Sequence, residues 1–336
     1  MWIDGKWVDA DSGRTFRTYN PHNGDAIAEV PLAGKSDVDK AVAAARRAFP
    51  AWSRKTQEDR SACVARIAAA LRENGDDLIR LEIAEHGATA RHAPIMIRFA
   101  TANLELAASG ARVLMGKVLP ATPSKGAPPG TSNTLCYLKY EPFGVCALIT
   151  PWNVPTLLLA TKIGPALAVG NTCVVKPPSI NSGIGLKIAE IIGRLDLPPG
   201  VINFVTGPGS TIGSDLSSHP GIDFISFTGS SEVGKTILAN ASRTVKTAMM
   251  ELGGKNPAII LEDADVEAAA EELCGITFEN VGQNCAQPSR FYVHEKVHDR
   301  FVQKFVETAN RIKVGDPADP DTVMGPVVSK EQRSTI

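Results

Sequence analysis

The sequence is short of several things, and each shortage narrows what it can do. No apolar run in its 336 residues reaches the roughly 20 residues that a membrane-spanning helix needs. The formal net charge is -1, so there is no general basic field for nucleic acid or an anionic membrane. Aromatics make up 6% of the chain, and no basic-aromatic run suggests stacked bases. The six cysteines, Cys63, Cys136, Cys146, Cys173, Cys274 and Cys285, are scattered and form no CxxC pair. Three of them, Cys136, Cys146 and Cys173, sit in apolar runs, as small core residues do in a reducing compartment. The opening Met1-Trp2-Ile3-Asp4-Gly5-Lys6 has no signal-peptide apolar core. The expectation is a cytoplasmic protein that binds neither nucleic acid nor membrane.

What is present is ordinary globular material, 43% hydrophobic and 21% charged, enough for two domains. One metal-like pattern occurs, the HExxH of His294-Glu295-Lys296-Val297-His298. It binds zinc only when both histidines share one helix face. Residues 290–293 read as a strand, so His294 falls at its end and only His298 in the next helix. The expectation is two surface histidines and no metal site.

The first 30 residues read as short strands and turns. Ser36-Asp37-Val38-Asp39 looks like a capping box, and apolar residues then recur on one helical face to Phe49, with Pro50 past the end. Further helices are expected over 57–73, 76–85 and 93–111. This helical block carries no catalytic pattern and reads as a packed layer. Residues 117–133 read as a loop, and 135–140 as an exposed strand able to pair with another subunit.

From Val145 the rhythm changes to strand, loop and helix in repetition. Strands are expected over 145–150, 172–176, 201–206 and 223–228, with helices over 155–169, 183–195, 211–216 and 231–240. Continuous apolar strands alternating with helices argue a parallel sheet covered on both faces. Ligands in such sheets bind outside the carboxyl ends of the strands.

The loops at those ends carry chemistry. Pro151-Trp152-Asn153-Val154-Pro155 holds an amide in a stiff turn, where it is either a turn residue or an oxyanion donor. Lys176, in Lys176-Pro177-Pro178-Ser179, either faces solvent or reaches a ribose or phosphate. Thr206-Gly207-Pro208-Gly209-Ser210 with Gly213 has GxGxxxG spacing, a weak dinucleotide signal that close backbone packing explains equally well. Thr228-Gly229-Ser230 runs straight into a helix whose N-terminus offers free N–H groups to a pyrophosphate.

The stretch 250–290 organises the rest. It opens with Glu251-Leu252-Gly253-Gly254-Lys255 and closes with Gly282-Gln283-Asn284-Cys285. Between them lie a strand over 257–261 and a helix that Asp263 or Asp265 can cap. The Gly-Gln-Asn-Cys segment is too polar for a core, so its cysteine can be exposed and reactive. The functional reading is a thiolate that attacks a carbonyl carbon and a carboxylate that later activates water.

Together and in order, these segments resemble the NAD(P)-dependent aldehyde dehydrogenase superfamily. The matching residues are Thr150-Pro151-Trp152-Asn153, Lys176-Pro177, Phe227-Thr228-Gly229-Ser230, Glu251-Leu252-Gly253-Gly254-Lys255 and Gly282-Gln283-Asn284-Cys285. The openings Ile3-Asp4-Gly5-Lys6-Trp7 and Tyr19-Asn20-Pro21 match as well. The resemblance implies Cys285 as nucleophile, Glu251 as the base for deacylation and the Asn153 side chain in the oxyanion hole. Lys162 matches a lysine sometimes placed in a proton relay. For the cofactor, NAD or NADP, it implies a site that includes Thr150, Pro151, Trp152, Asn153, Lys176, Ser179, Gly209, Phe227, Gly229, Ser230, Val233 and Leu252. Ser179 stands where the family often has a ribose-binding Glu, which leaves room for a 2′-phosphate.

The implied fold is α/β. A Rossmann-like parallel sheet forms a cofactor domain over 1–252, with a protruding β oligomerisation segment at 131–143. Residues 253–336 then begin an α/β catalytic domain. By the family's plan the sequence stops in mid-domain, so a C-terminal truncation is expected. The implied partners are an aldehyde, oxidised to a carboxylic acid, and further copies of the chain in a homodimer or homotetramer. Two alternatives stand beside this reading: a CoA-acylating semialdehyde dehydrogenase, against which Glu251 argues, and a truncated non-catalytic relative.

Overall fold

The computed structural model describes residues 1–119, 128 and 135–336. Its centre is a seven-stranded sheet whose inner strands are the expected apolar runs. The N-terminus supplies β1 (Trp2–Ile3), β2 (Lys6–Trp7) and the hairpin β3 (Thr15–Tyr19) with β4 (Ala26–Pro31). After helices α1 (Lys35–Ser53), α2 (Gln57–Glu73) and α3 (Gly75–Leu81) comes a π-helical turn, Glu82–His86, and then α4 (Ala93–Arg112). A ribbon of β5 (Lys117–Leu119) and β6 (Cys136–Leu138) follows. The alternating part is β7 (Val145–Ile149), α5 (Pro155–Ala168), β8 (Thr172–Lys176), α6 (Ser182–Gly193), β9 (Ile202–Phe204), α7 (Ser214–Ser218), β10 (Phe224–Gly229), α8 (Ser231–Ala241) and β11 (Thr247–Leu252). The chain continues through β12 (Asn256–Ile260), α9 (Val266–Phe278), β13 (Pro288–Val293), α10 (His298–Ala309) and α11 (Lys330–Thr335).

The sheet order is β11-β10-β7-β8-β9-β1-β2. The five strands from β11 to β9 are parallel, and β1 joins β9 antiparallel. Every residue of β7 and β8 is buried. Side chains alternate between two cores, because successive strand residues point to opposite faces. Cys146 and Leu148 face a core with α2, α4, α5 and α6, while Val145, Ala147 and Ile149 face one built with α1, α7 and α8. A third, separate core lies over the parallel pair β12–β13, where Ile260, Val266, Ala270 and Phe301 pack. Among the described residues no helix is long and apolar enough to cross a membrane.

Several local expectations give way. Pro50 lies inside α1 and not past its end. The turn beyond it carries Trp52, which is buried and donates through Nε1 to the Leu167 carbonyl at 3.2 Å. Burying an indole offsets the roughly 3 kcal/mol that an internal proline costs. The cap of α1 is Gly34, whose N–H donates to the Asp37 carboxylate at 2.9 Å, and the expected box at Ser36 and Asp39 does not form. Residues 117–119 form a strand and not loop, because β6 offers them a ladder. The expected oligomerisation segment coincides with β6 in part, and its residues 131–134 lie outside the described residues. The expected helix over 211–216 is a π-helical turn, Gly209–Gly213, followed by α7.

Candidate active site

Four loops at the carboxyl ends of the parallel strands enclose a cavity of about 640 Å3. Thr150, Pro151 and Trp152 reach it from β7, Lys176 and Ser179 from β8, and Gly209 from beyond β9. Phe227, Gly229, Ser230 and, one turn on, Val233 complete the wall. Register explains the convergence: Ile149 pairs with Lys176, and Gly229 with Leu252, so neighbouring strands end together.

The cavity has the groups a dinucleotide needs. Ser230 caps α8, its Oγ accepting from the Val233 N–H at 3.3 Å, and that first helical turn borders the cavity. Helix N-termini favour phosphate. Lys176 is buried, and desolvation brings its pKa down to about 8. Its Nζ donates to the Pro177 carbonyl at 3.0 Å, and an ammonium has further N–H donors to give. Thr150 Oγ1 is buried without a partner among the described residues. At Gly209 the position a Cβ would take is open, so access and not tight backbone packing distinguishes this glycine. Gly229 is different, since a Cβ there would lie 2.4 Å from the Phe227 ring. These residues fit a nicotinamide dinucleotide.

Leu252 lies outside that wall. It ends β11 and packs on α8, where a Cβ on Gly234 would meet its Cδ2 at 2.8 Å. Asn153 likewise stands just beyond the cavity, on the side of the thiol. Its Nδ2 donates to the Gln283 carbonyl at 2.8 Å, two residues before Cys285. Its own carbonyl accepts from Asn280 Nδ2 at 2.7 Å. Gln283 is buried and held in turn, its Oε1 accepting from the Val328 N–H at 3.0 Å. Cys285 itself is exposed, as the polarity of its segment suggests.

Glu251 is exposed on β11, a strand that the sequence reading passed over. The turn after it leads to Asn256, whose Nδ2 donates to the Cys285 carbonyl at 2.7 Å. Lys162, on α5, is buried and donates through Nζ to Ser226 Oγ at 2.9 Å. Desolvation lowers its pKa to about 8, while the Glu251 carboxylate nearby pulls it back up. An exposed thiol, an amide donor tied to its loop and a carboxylate close to a buried amine can together provide a nucleophile, an oxyanion donor and a base.

Sequence reasoning missed the support behind this site. Glu82 is fully buried and accepts from the Thr156 N–H at 3.1 Å, capping α5; burial raises its pKa to about 7. Glu85 accepts from the N–H groups of Gly183 and Ile184 at 3.0 and 2.8 Å, capping α6, and burial raises its pKa. His86 Nε2 lies 3.0 Å from Asn280 Oδ1, and burial lowers the imidazole pKa to about 4. Three titratable side chains from one buried turn were the available signal, but in sequence they look like the wet face of a helix.

The HExxH histidines do not share a helix. His294 follows β13, while His298 opens α10 and bonds to Asp299 at 2.8 Å. Among the described residues no group of three or more His, Cys, Asp or Glu side chains is placed to hold a metal ion.

The chain is similar to known proteins in sequence and in fold. An aldehyde dehydrogenase of Davidiella tassiana is 41% identical over 338 residues, covering 100% of this chain and 66% of its own length. The structure of betaine aldehyde dehydrogenase from Staphylococcus aureus in complex with NAD+ superposes with a TM-score of 0.93 at 36% identity, over 99% of this chain and 65% of that one. An NADP-dependent enzyme from E. coli gives 0.93 at 35% identity, over 98% of this chain and 67% of that one. The chain thus spans about two thirds of the length of these relatives. The family model described as "Aldehyde dehydrogenase family" matches residues 7–336, and the chain belongs to that family.

Proposed function

We propose that the protein oxidises an aldehyde to a carboxylic acid with NAD or NADP. The observation that carries this reading is the bond from Asn153 Nδ2 to the Gln283 carbonyl, which sets an amide beside the loop of an exposed cysteine. The Cys285 thiolate adds to the aldehyde carbon, and the carbonyl oxygen becomes an alkoxide. The second N–H of the Asn153 amide and the Cys285 backbone N–H receive that charge. A nicotinamide held at this site would supply the hydride acceptor. Cys285 is then left as a thioester. Glu251 takes a proton from water, which attacks the thioester carbon and releases the acid and the thiol. We assign Lys162, whose Nζ donates to Ser226 Oγ, a part in moving the proton that Glu251 takes up.

Cofactor binding falls to the cavity residues. Lys176 and Ser179 would meet the adenosine ribose, and Gly229, Ser230 and the first turn of α8 the pyrophosphate, while Leu252, just outside the cavity wall, would approach the nicotinamide. Both cofactors occur among the similar structures, one holding NAD+ and one named as NADP-dependent. Residues 1–252 act as the cofactor domain, and 253–336, with their own core, begin the catalytic domain. The β5–β6 ribbon exposes Val118 and Tyr137 and is the surface for assembly into a homodimer or homotetramer.

The test is reduction of NAD and of NADP across a panel of aldehydes, with and without CoA. Acid formation independent of CoA is expected. A product that appears only with CoA would replace this reading with acyl transfer, and inertness with every aldehyde would end it.

A further inference from the structure

We infer that Asn280, held by His86, is a positioning residue for the amide of Asn153. The inference rests on the reading of Asn153 as the oxyanion donor.

The backbone is the first observation. Asn280, Val281 and Gly282 have φ of 50°, 61° and 73°. Three consecutive left-handed residues do not persist unaided, since each non-glycine costs about 1–3 kcal/mol. Asn280 is the member that makes the tertiary bonds. Its Nδ2 donates to the Asn153 carbonyl at 2.7 Å and to the Gln283 carbonyl at 3.4 Å. Its own carbonyl accepts from the Gln283 backbone N–H at 3.0 Å and from Gln283 Nε2 at 3.1 Å.

These bonds fix every orientation in the group. A carbonyl can only accept, so Nδ2 must be the end of Asn280 that faces Asn153 and Gln283. Oδ1 then faces His86, which must be the Nε2–H tautomer and donate. His86 Nδ1 is buried without a partner among the described residues, and low polarity keeps the ring neutral. Donation therefore runs one way: His86 to Asn280, then Asn280 to the carbonyls of Asn153 and Gln283. The Asn153 amide completes the loop by donating to that same Gln283 carbonyl.

Asn153 is thus gripped at both ends, by its carbonyl and by one N–H of its amide. The second N–H has its direction set as a consequence. His86 is a firm base because its turn is fixed elsewhere: Glu82 and Glu85 clasp the N-termini of α5 and α6. One π-helical turn therefore holds the asparagine loop directly and the thiol loop through Asn280. A misdirected donor is costly, because displacement by about 1 Å can lower a rate about 100-fold.

The experiment uses Asn280→Gly, which keeps the left-handed backbone and removes the side-chain bonds. His86→Leu and His86→Gln, the latter keeping a donor, accompany it. Propanal and benzaldehyde serve as probes with NAD and with NADP. Four quantities are read: the single-turnover rate of reduced-cofactor formation, the aldehyde KM, the cofactor Kd and the Tm. In Asn280→Gly the rate should fall roughly 10–100-fold. Aldehyde KM and cofactor Kd should move less than about threefold, as expected when only transition-state stabilisation is lost. His86→Leu should follow Asn280→Gly, and His86→Gln should recover most of the rate. A rate within about twofold of the starting protein in Asn280→Gly would overturn the inference. So would a loss matched by an equal loss of cofactor binding, which marks general disorder. If Asn280→Gly does not fold, the histidine pair decides, and equal rates in His86→Leu and His86→Gln overturn it. An unsubstituted protein that forms neither reduced cofactor nor a Cys285 adduct would instead end the underlying reading of the site.

Discussion

The side-chain amide of Asn256 donates to the main-chain carbonyl of Cys285 at 2.7 Å, and to that of Gln287 at 3.0 Å. Asn256 opens β12, directly after the turn that follows Glu251, so this residue ties the thiol's turn to the carboxylate's strand. Cys285 and Glu251, the proposed nucleophile and base, come from separate parts of the chain, so each can be replaced on its own.

Cys285→Ala should abolish acid formation while leaving cofactor affinity unchanged. The thiol is exposed, so Tm should also hold. Steady-state assay checks the loss of turnover, and fluorescence titration of NADH and NADPH checks the cofactor affinity. Turnover near the starting level would remove Cys285 from its role.

Glu251→Gln keeps the shape but cannot take a proton. Acylation should proceed and deacylation stall, so one equivalent of reduced cofactor should form and then stop. Mass spectrometry should find the acyl group on Cys285. Loss of that first equivalent, with no adduct, would give Glu251 a different task.

Ser179→Glu tests how the ribose is read. Ser179 and Lys176 share the cavity wall, and a carboxylate at 179 would repel a 2′-phosphate and accept from a ribose diol. The starting protein should use NADP at least comparably to NAD. The substitution should shift kcat/KM towards NAD about tenfold, equivalent to about 1.4 kcal/mol. A strong NAD preference unmoved by the substitution would point to another ribose contact.

The buried turn should show in the pH dependence of Tm. His86 has its pKa lowered from 6.5 to about 4, so the folded state binds fewer protons than the unfolded one between those values. Its contribution is present above pH 6.5 and is lost as pH falls towards 4. Glu82 is raised from 4.5 to about 7, so its contribution is present below pH 4.5 and is lost as pH rises through 7. His86→Gln should flatten the acid limb of the profile, and Glu82→Gln the neutral limb. Profiles parallel to that of the starting protein would show that neither group is shifted.

Much of the sheet was legible because its inner strands are short, largely apolar runs alternating with helices. Val145 to Ile149 and Thr172 to Lys176 are buried on both faces, as strands of a parallel sheet covered by helices are. The strand-end residues were legible because stiff or glycine-rich turns announce themselves locally. β11 was not, since Thr247 to Leu252 sits at the sheet edge with mixed exposure and has no apolar run to show. Ser226 was hidden inside β10, where only its bond to Lys162 gives it meaning. His86 and Asn280 are 194 residues apart, and no local pattern encodes a bond between them. Pro50 misled because a proline ordinarily ends a helix, and only the burial of Trp52 explains why this one does not.

Val281 has a consequence of its own. A β-branched side chain at φ 61° is a genuine outlier, whereas glycine at that angle is relaxed. The chain therefore keeps, a few residues from the exposed Cys285, a spring that one codon change could release. Breeding for heat resistance alone would favour that release, and breeding for turnover would resist it wherever the curl of the loop serves the thiol. The two pressures conflict at this residue, so an improved thermal optimum obtained there should be bought with speed.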